Sequence, residues 1–370
     1  MINERKSIRP AFVASMIGGM IAYYIGAATG TGQEFFQAYA SHGLIGLLGT
    51  VLYHAFVAVL AISVIYVCKK YNLSNSKECF VWFCGKPIGT AVHFYTVAFV
   101  VCFMVQLISG TGSMMNQYYG YPYYVGAFLL AGLCIVSVLF GFKKVIDIVS
   151  KIAPFILVIL TVTFVYALVN PVDGIAAGSE IAKNSTEIAR MHPNWLASTV
   201  LHTSYIILFV LPFFVSCYTM DRSATMKETV SWVVISIALL TGMIIMMVLS
   251  QIANVSLALG TPAPNLAITS YHVPKLAGIL VVLVVAASFT TAAPVAVIAA
   301  EYFAQEGTRK FKIIGTVLIL AELAVSFLGS YAQIINVLVS VSGWVGLFAV
   351  FVAVIRLIVR CAGKKPSAVA

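Results

Sequence analysis

Gly26–Ala40 reads GAATGTGQEFFQAYA, and it sits where a membrane helix should be finishing. The 19 residues from Pro10 to Ala28 carry no charge, and roughly 20 apolar residues cross a hydrocarbon core as a helix. Yet the continuation brings Gly26, Gly30 and Gly32, Thr29 and Thr31, then Gln33 and Glu34. Glycine is a weak helix former, and unwound backbone at membrane depth survives only against protein or a water-filled cavity. Thr31 and Glu34 have the T-x-x-E spacing of a capping box, with Thr31 as N-cap. A cap in mid-span marks the start of a second helix. The stretch therefore predicts a broken helix: one half to about Ile25, a linker, and a short half from about Gly32 to Ala40. Gly26-x-x-x-Gly30 also fits a small-residue face for close helix packing, but such a face leaves Gln33 and Glu34 without a role.

The rest of the chain is made for lipid. Of 370 residues, 61% are hydrophobic and 9% charged, against about one quarter charged in soluble domains. An all-α integral membrane protein follows. Ten transmembrane helices are predicted, at 9–40, 44–68, 87–117, 123–141, 145–169, 194–218, 229–252, 273–303, 313–329 and 332–359. The Ala38-Tyr39-Ala40 triplet has the look of a signal-cleavage site, but Gln33 and Glu34 precede it, and the segment is expected to be retained.

Basic residues orient the spans. Nineteen of them, from Arg5, Lys6 and Arg9 through Lys69, Lys70, Lys143, Lys144 and Arg222 to Lys364 and Lys365, fall at one set of ends. Lys183, Arg190 and Lys275 fall at the other. Both termini are then cytoplasmic, as expected in a bacterial cytoplasmic membrane. The net charge of +10 is scattered over short loops, so it is a topology signal and no nucleic-acid partner is expected. The seven cysteines form no CxxC pair, so neither a disulfide nor a zinc site is indicated. No HExxH, GxSxG or Walker sequence is present, and the longest outer loop, about 170–193, has room for a small helix but no domain. An enzyme and an ATP-driven pump are both disfavoured, and no cofactor is expected.

Polar residues cluster in three further spans. The third holds Gln106, Ser109, Thr111 and Ser113; the sixth holds His202, Thr203, Ser204 and Tyr205 ahead of Pro212; the eighth holds Ser288, Thr290, Thr291 and Pro294. Spans one and six, and three and eight, lie five apart. Matching irregularities at that offset suggest two five-helix repeats of inverted topology, about 9–169 and 194–359, with a site at their interface.

Here the chain resembles a known family. GAATGTGQEFFQAYASHG, the ten-span plan and the Thr290-Thr291-Ala292 triplet are similar to the YkvI-like amino-acid permeases of the amino acid–polyamine–organocation superfamily, whose fold is that of LeuT. The likeness covers nearly the whole chain and is strongest at Gly30-Thr31-Gly32-Gln33-Glu34-Phe35. It implies one transporter domain over 1–370 with helices one and six both broken. It also implies secondary active transport of an amino acid or similar small zwitterion, by alternating access.

Candidate residues follow from the motif and the resemblance together. The amides of Gly30, Thr31 and Gly32 stand at a helix start, which favours an anion, and the resemblance puts the substrate carboxylate there. Ala27, Ala28, Gln106, Ser109, His202, Ser204, Tyr205 and Thr291 are expected to complete the substrate site. A lone mid-helix threonine usually bonds its own i−4 carbonyl. In sodium-coupled members of the fold, however, two adjacent hydroxyls and a carbonyl of span eight face two carbonyls of span one. The positions here are Thr290, Thr291 and Ala287 with Gly26 and Thr29, an oxygen-only set suited to sodium. Proton-coupled relatives place a span-five lysine there; Lys151 is the candidate, and its position predicts instead an interfacial pair with Asp147. Glu34, a carboxylate at membrane depth, either only caps or also carries a coupling proton. A channel is the weaker alternative, since no pore-loop repeat is present.

Overall fold

The structure is a computed structural model that describes residues 8–261, 263–329 and 331–362. Arg5, Lys6, Lys364 and Lys365, and the side chains of Ala27, Ala28 and Lys275, lie outside the described set. Hydrocarbon offers no partner to backbone N–H and C=O groups, so the apolar runs satisfy themselves as helices. The first crossing comprises α1 (Pro10–Tyr24), α2 (Ala27–Thr31) and α3 (Gln33–Ala38). Then come α4 (Ile45–Tyr71), the short α5 (Ser76–Cys84), α6 (Lys86–Tyr119), α7 (Tyr123–Phe140) and α8 (Phe142–Val169). The loop after α8 carries α9 (Ile175–Asn184) before α10 (Trp195–Met220) and α11 (Met226–Ala253). The short α12 (Val255–Ala258) and α13 (Pro264–His272) lead to α14 (Pro274–Glu301), α15 (Arg309–Val325) and α16 (Tyr331–Cys361).

Eight of these helices are long and apolar enough to cross a membrane. The interrupted α1–α3 and the 17-residue α15 make up the ten expected crossings. Burial sorts them into a centre and a rim. In α10, 83% of the membrane-crossing window is buried and in α14 72%, against 22% in α16. The central helices are thus the ones whose sequences carry the polar clusters.

The ends that carry the basic residues are tied together. The Arg9 guanidinium donates to both carboxylate oxygens of Glu228, at 2.8 and 3.0 Å, and to Asp221 at 2.7 Å. Lys69 reaches the Ala224 carbonyl, and Arg222 reaches Asn72. At the opposite ends, Asp173 accepts from Ser256, and Arg190 donates to the carbonyls of Ser41, Ala182 and Lys183. Lys151 is exposed on α8, and no ion pair with Asp147 is found among the described residues.

Two further expectations need correction. The predicted box at Thr31 and Glu34 does not form. Gly32, in the left-handed region at φ 76°, is the residue that precedes α3, and it makes no side-chain cap. Thr31 Oγ1 receives the Gln33 amide at 3.4 Å, but Glu34 turns to another partner. A real box with the same spacing stands at Thr225 and Glu228, where α11 begins. The second correction concerns span six. α10 is continuous through Pro212. A proline interrupts one backbone bond and bends the axis, and in a helix this enclosed the neighbours hold the turn together. In the turn ahead of the proline, the Tyr23 hydroxyl donates to the Phe209 carbonyl at 2.9 Å.

Candidate substrate and ion site at the break in the first helix

The break is double. The helix bends at Ile25–Gly26, resumes as the single turn of α2, and reverses hand at Gly32 before α3. Gly26 and Gly30 both press on α14. A Cβ at Gly26 would lie 2.7 Å from Thr291 Oγ1, and one at Gly30 2.7 Å from Val284 Cγ1. The small-residue face and the broken helix are therefore both present, and the first lets the second sit against α14.

Interrupting a helix leaves carbonyls without partners, which is costly away from water. Thr29 Oγ1 donates to the Tyr24 carbonyl at 3.2 Å. Asn265 of α13 donates to the carbonyls of Thr29 at 3.0 Å and Gly30 at 3.4 Å. Gln251 near the end of α11 donates to the Gly32 carbonyl at 3.0 Å and to Asn265 Oδ1 at 2.9 Å. Two side-chain amides from the second half of the chain thus hold the unwound backbone of the first.

Glu34 is 5% exposed and points at α10. Its Oε1 lies 2.7 Å from His202 Nε2, and His202 Nδ1 lies 2.7 Å from the Tyr39 hydroxyl. Tyr53 stacks on the imidazole at 4.7 Å with the planes 15° apart. The two ring nitrogens of His202 thus bridge Tyr39 and Glu34, and which of them donates is set by the tautomer. This relay joins α3 to α10.

Beside the break lies a cavity of about 30 Å³. Gly26, Thr29, Glu34, Tyr205 and Thr291 of the expected residues border it. Gly30, Thr31, Gly32, Gln106, Ser109, His202, Ser204, Ala287 and Thr290 do not. Of the amides expected to receive an anion, that of Gly30 donates to the Gly26 carbonyl at 2.9 Å, at the entry to α2. The expected ion ligands are in similar condition. Thr290 Oγ1 donates to the Ala287 carbonyl at 2.9 Å, and Thr291 Oγ1 donates to the Ala22 and Tyr23 carbonyls at 3.1 Å each. The Gly26 and Thr29 carbonyls accept from Gly30 and Asn265. Each of the five oxygens has a partner within the protein.

The sequence reading overlooked Tyr23, Tyr24, Tyr53, Phe103 and Phe209, which form much of the cavity wall, and Asn265 and Gln251 behind the break. An aromatic residue in an apolar span gives no signal of its own. Gln251 does: an amide inside an apolar helix asks for a buried partner.

No family model matches the chain. One curated relative is the uncharacterized membrane protein YkvI of Bacillus subtilis, 18% identical over 134 residues, a match covering 36% of this chain and 39% of that protein. Solved structures are alike over far more of the chain. A Na+-coupled sialic acid symporter in a substrate-bound, outward-open state matches with a TM-score of 0.62 and 14% identity, covering 92% of this chain and 78% of that one. A manganese transporter of Eremococcus coleocola matches with a TM-score of 0.59 and 11% identity, covering 99% and 91%. The fold is that of LeuT. At these identities the likeness is one of architecture.

Proposed function

We propose that this protein is a secondary active transporter that moves an amino acid or amino-acid-like small zwitterion by alternating access, coupled to sodium. The observation that carries this reading is the double break in the first helix, bordering a buried cavity where α1, α6, α10 and α14 meet. Backbone interruptions at a repeat interface are where transporters of this architecture hold substrate and ion. The cavity has room for about one water, whereas small-molecule pockets run to about 300 Å³ and more. Its walls must therefore part to admit a solute, as alternating access requires. Both termini are placed in the cytoplasm by the distribution of Lys and Arg.

Sodium is the proposed coupling ion because the Thr291 hydroxyl sits on Gly26 at the cavity edge, beside Thr29. A hydroxyl that donates to carbonyls keeps lone pairs for a cation. The carbonyls of Ala287, Gly26 and Thr29 each accept one bond and keep a second lone pair. With Thr290 and Thr291 they can therefore turn oxygens to an ion, and Asn265 on the Thr29 carbonyl links that site to α13. A second reading, proton coupling, is favoured by the Glu34–His202 pair at 2.7 Å.

A substrate-affinity titration against sodium at several pH values tests this. Substrate affinity should rise with sodium, and reciprocally sodium affinity with substrate. Thr291→Val should raise the half-saturating sodium concentration roughly tenfold, the equivalent of one lost oxygen ligand at about 1.4 kcal/mol. Thr291→Ser, which keeps the hydroxyl, should restore it, and Thr290→Val should act in the same direction as Thr291→Val. A wild type indifferent to sodium and responsive to pH would replace the sodium reading with the proton reading.

A further inference from the structure

Among the described residues, Glu34 is the one charged side chain that borders the cavity, and neither a lysine nor an arginine does. The rest of the wall is dominated by rings. Tyr23, Tyr24, Tyr53, Phe103, Tyr205 and Phe209 come from four different helices, so the enclosure is aromatic on several sides. The rings are locked together. Tyr23 stacks on Phe209 at 4.3 Å, Phe103 lies 4.5 Å from Phe209, and the Tyr24 and Tyr53 hydroxyls are 3.0 Å apart. Aromatic faces carry the negative part of a quadrupole and attract cations, above all desolvated ones. The His202–Tyr39 relay fixes the carboxyl group from behind: Glu34 Oε1 lies 2.7 Å from His202 Nε2, and Glu34 borders the cavity. Features that would hold an anion are weaker at this place, since the Gly30 amide is bonded to the Gly26 carbonyl and Gly30, Thr31 and Gly32 do not reach the cavity.

We propose that the cavity recognises its substrate first by a positively charged nitrogen, held between the aromatic faces and the Glu34 carboxylate, so that its ligands are organic ammonium ions, zwitterions among them. This rests on the transporter reading above and specifies which end of the zwitterion the site selects. The nitrogen sits at the Glu34 side of the cavity, and the acid end is the part that tolerates change. Compounds that keep the charge and lose the carboxylate should bind; compounds that keep the carboxylate and lose the charge should not.

Matched pairs test this on the purified full-length protein, with affinity read from the concentration dependence of the melting temperature. Alanine is compared with isobutyrate, in which a methyl group stands where the ammonium was, and with alaninamide, which has no carboxylate. Choline is compared with 3,3-dimethylbutan-1-ol, its uncharged isostere. Alanine should bind roughly thirtyfold more tightly than isobutyrate, and choline than its isostere, the scale of a desolvated cation–π contact, while alaninamide should bind about as tightly as alanine. Glu34→Gln, which keeps a hydrogen-bonding partner for His202, should weaken the charged members roughly tenfold and leave the ligand-free melting temperature within a few degrees of wild type. Phe103→Leu, which keeps apolar bulk and removes a ring face, should weaken them in the same direction. Isobutyrate binding as well as alanine would overturn the proposal and restore a carboxylate-first site, with the transporter reading intact. A panel in which no member stabilises the protein would also overturn it. Failure of the transporter reading looks different: charged members that bind but are never exchanged across a vesicle membrane.

Discussion

Gly32→Val is expected to abolish substrate binding and to destabilise the protein by several kcal/mol. Gly32 has φ 76°, a region that costs a side-chain-bearing residue about 1–2 kcal/mol and a β-branched one more. A Cβ there would also collide with Asn265 Oδ1 and Gln251 Nε2. Those amides donate to the carbonyls of Thr29, Gly30 and Gly32. Displacing them leaves buried acceptors without partners, at about 1–3 kcal/mol each. The substitution thus attacks the conformation of the break and the groups that hold it, and substrate affinity should fall at least roughly a hundredfold. Binding by thermal shift and a melting curve of the ligand-free variant check this together. Asn265→Ala, which removes the donor and adds no bulk, should lower both quantities to a smaller extent. A Gly32→Val protein that melts and binds like wild type would mean that the chain does not turn where the structure turns it.

The second large effect concerns the relay. His202→Leu removes the partner of Glu34 Oε1 in surroundings where the two side chains are 1% and 6% exposed. Breaking a buried pair by removing one partner typically costs about 3–5 kcal/mol, because the other polar group stays buried and unmatched. The double variant Glu34→Leu, His202→Leu should be more stable than His202→Leu alone, since replacing both partners by apolar groups is often close to neutral. Chemical denaturation of the four proteins gives the coupling energy. Glu34→Gln separates the structural role from the coupling role. Under sodium coupling, net uptake and exchange should both survive at saturating substrate. If the pair carries a proton, net uptake should fail while exchange persists. His42, in the turn after α3, does not confuse the pH dependence: burial, with Arg190 and His192 nearby, pushes its imidazole down to about 4, so it stays neutral across the working range.

The fold was legible because its signals are one-dimensional. Apolar runs of the right length and a one-sided distribution of basic residues place ten crossings, and both ends of each lie within four residues of the predicted position, while the short α5, α12 and α13 between them carry no such signal. The break in the first helix was legible for a related reason: glycines and polar residues in mid-span have no use in a plain helix. Its details were not. The same T-x-x-E spacing gives a capping box at Thr225–Glu228 and none at Thr31–Glu34. At the first position Glu34 has a better partner 168 residues away, on a helix whose proximity no local pattern announces. Pro212 misled in the opposite sense, since burial on all sides keeps α10 continuous. The expected carboxylate site at Gly30–Gly32 came from position within the motif. In the structure Gly30 faces α14 and Gly32 faces α13, and the cavity is bordered by residues on either side of this stretch. Asn265 belongs to the short helix α13 that opens with Pro264, where a polar residue in a connecting segment carries no alarm.

Glu322 stands apart from this scheme. It is 2% exposed in α15, with neither carboxyl oxygen bonded among the described residues. A carboxyl group in such a place is costly, and it is far along the chain from every group at the break.

The central claim is that the chain carries a solute across the membrane through the site at the break. Counterflow tests it most directly: vesicles containing the purified protein are loaded with an unlabelled zwitterion that the binding panel has identified, then diluted into the labelled compound. The predicted outcome is transient accumulation of label above its external concentration, without ATP, and its loss in Gly32→Val vesicles. Label that only equilibrates along with a steady ionic current, or that emerges chemically altered, would contradict it.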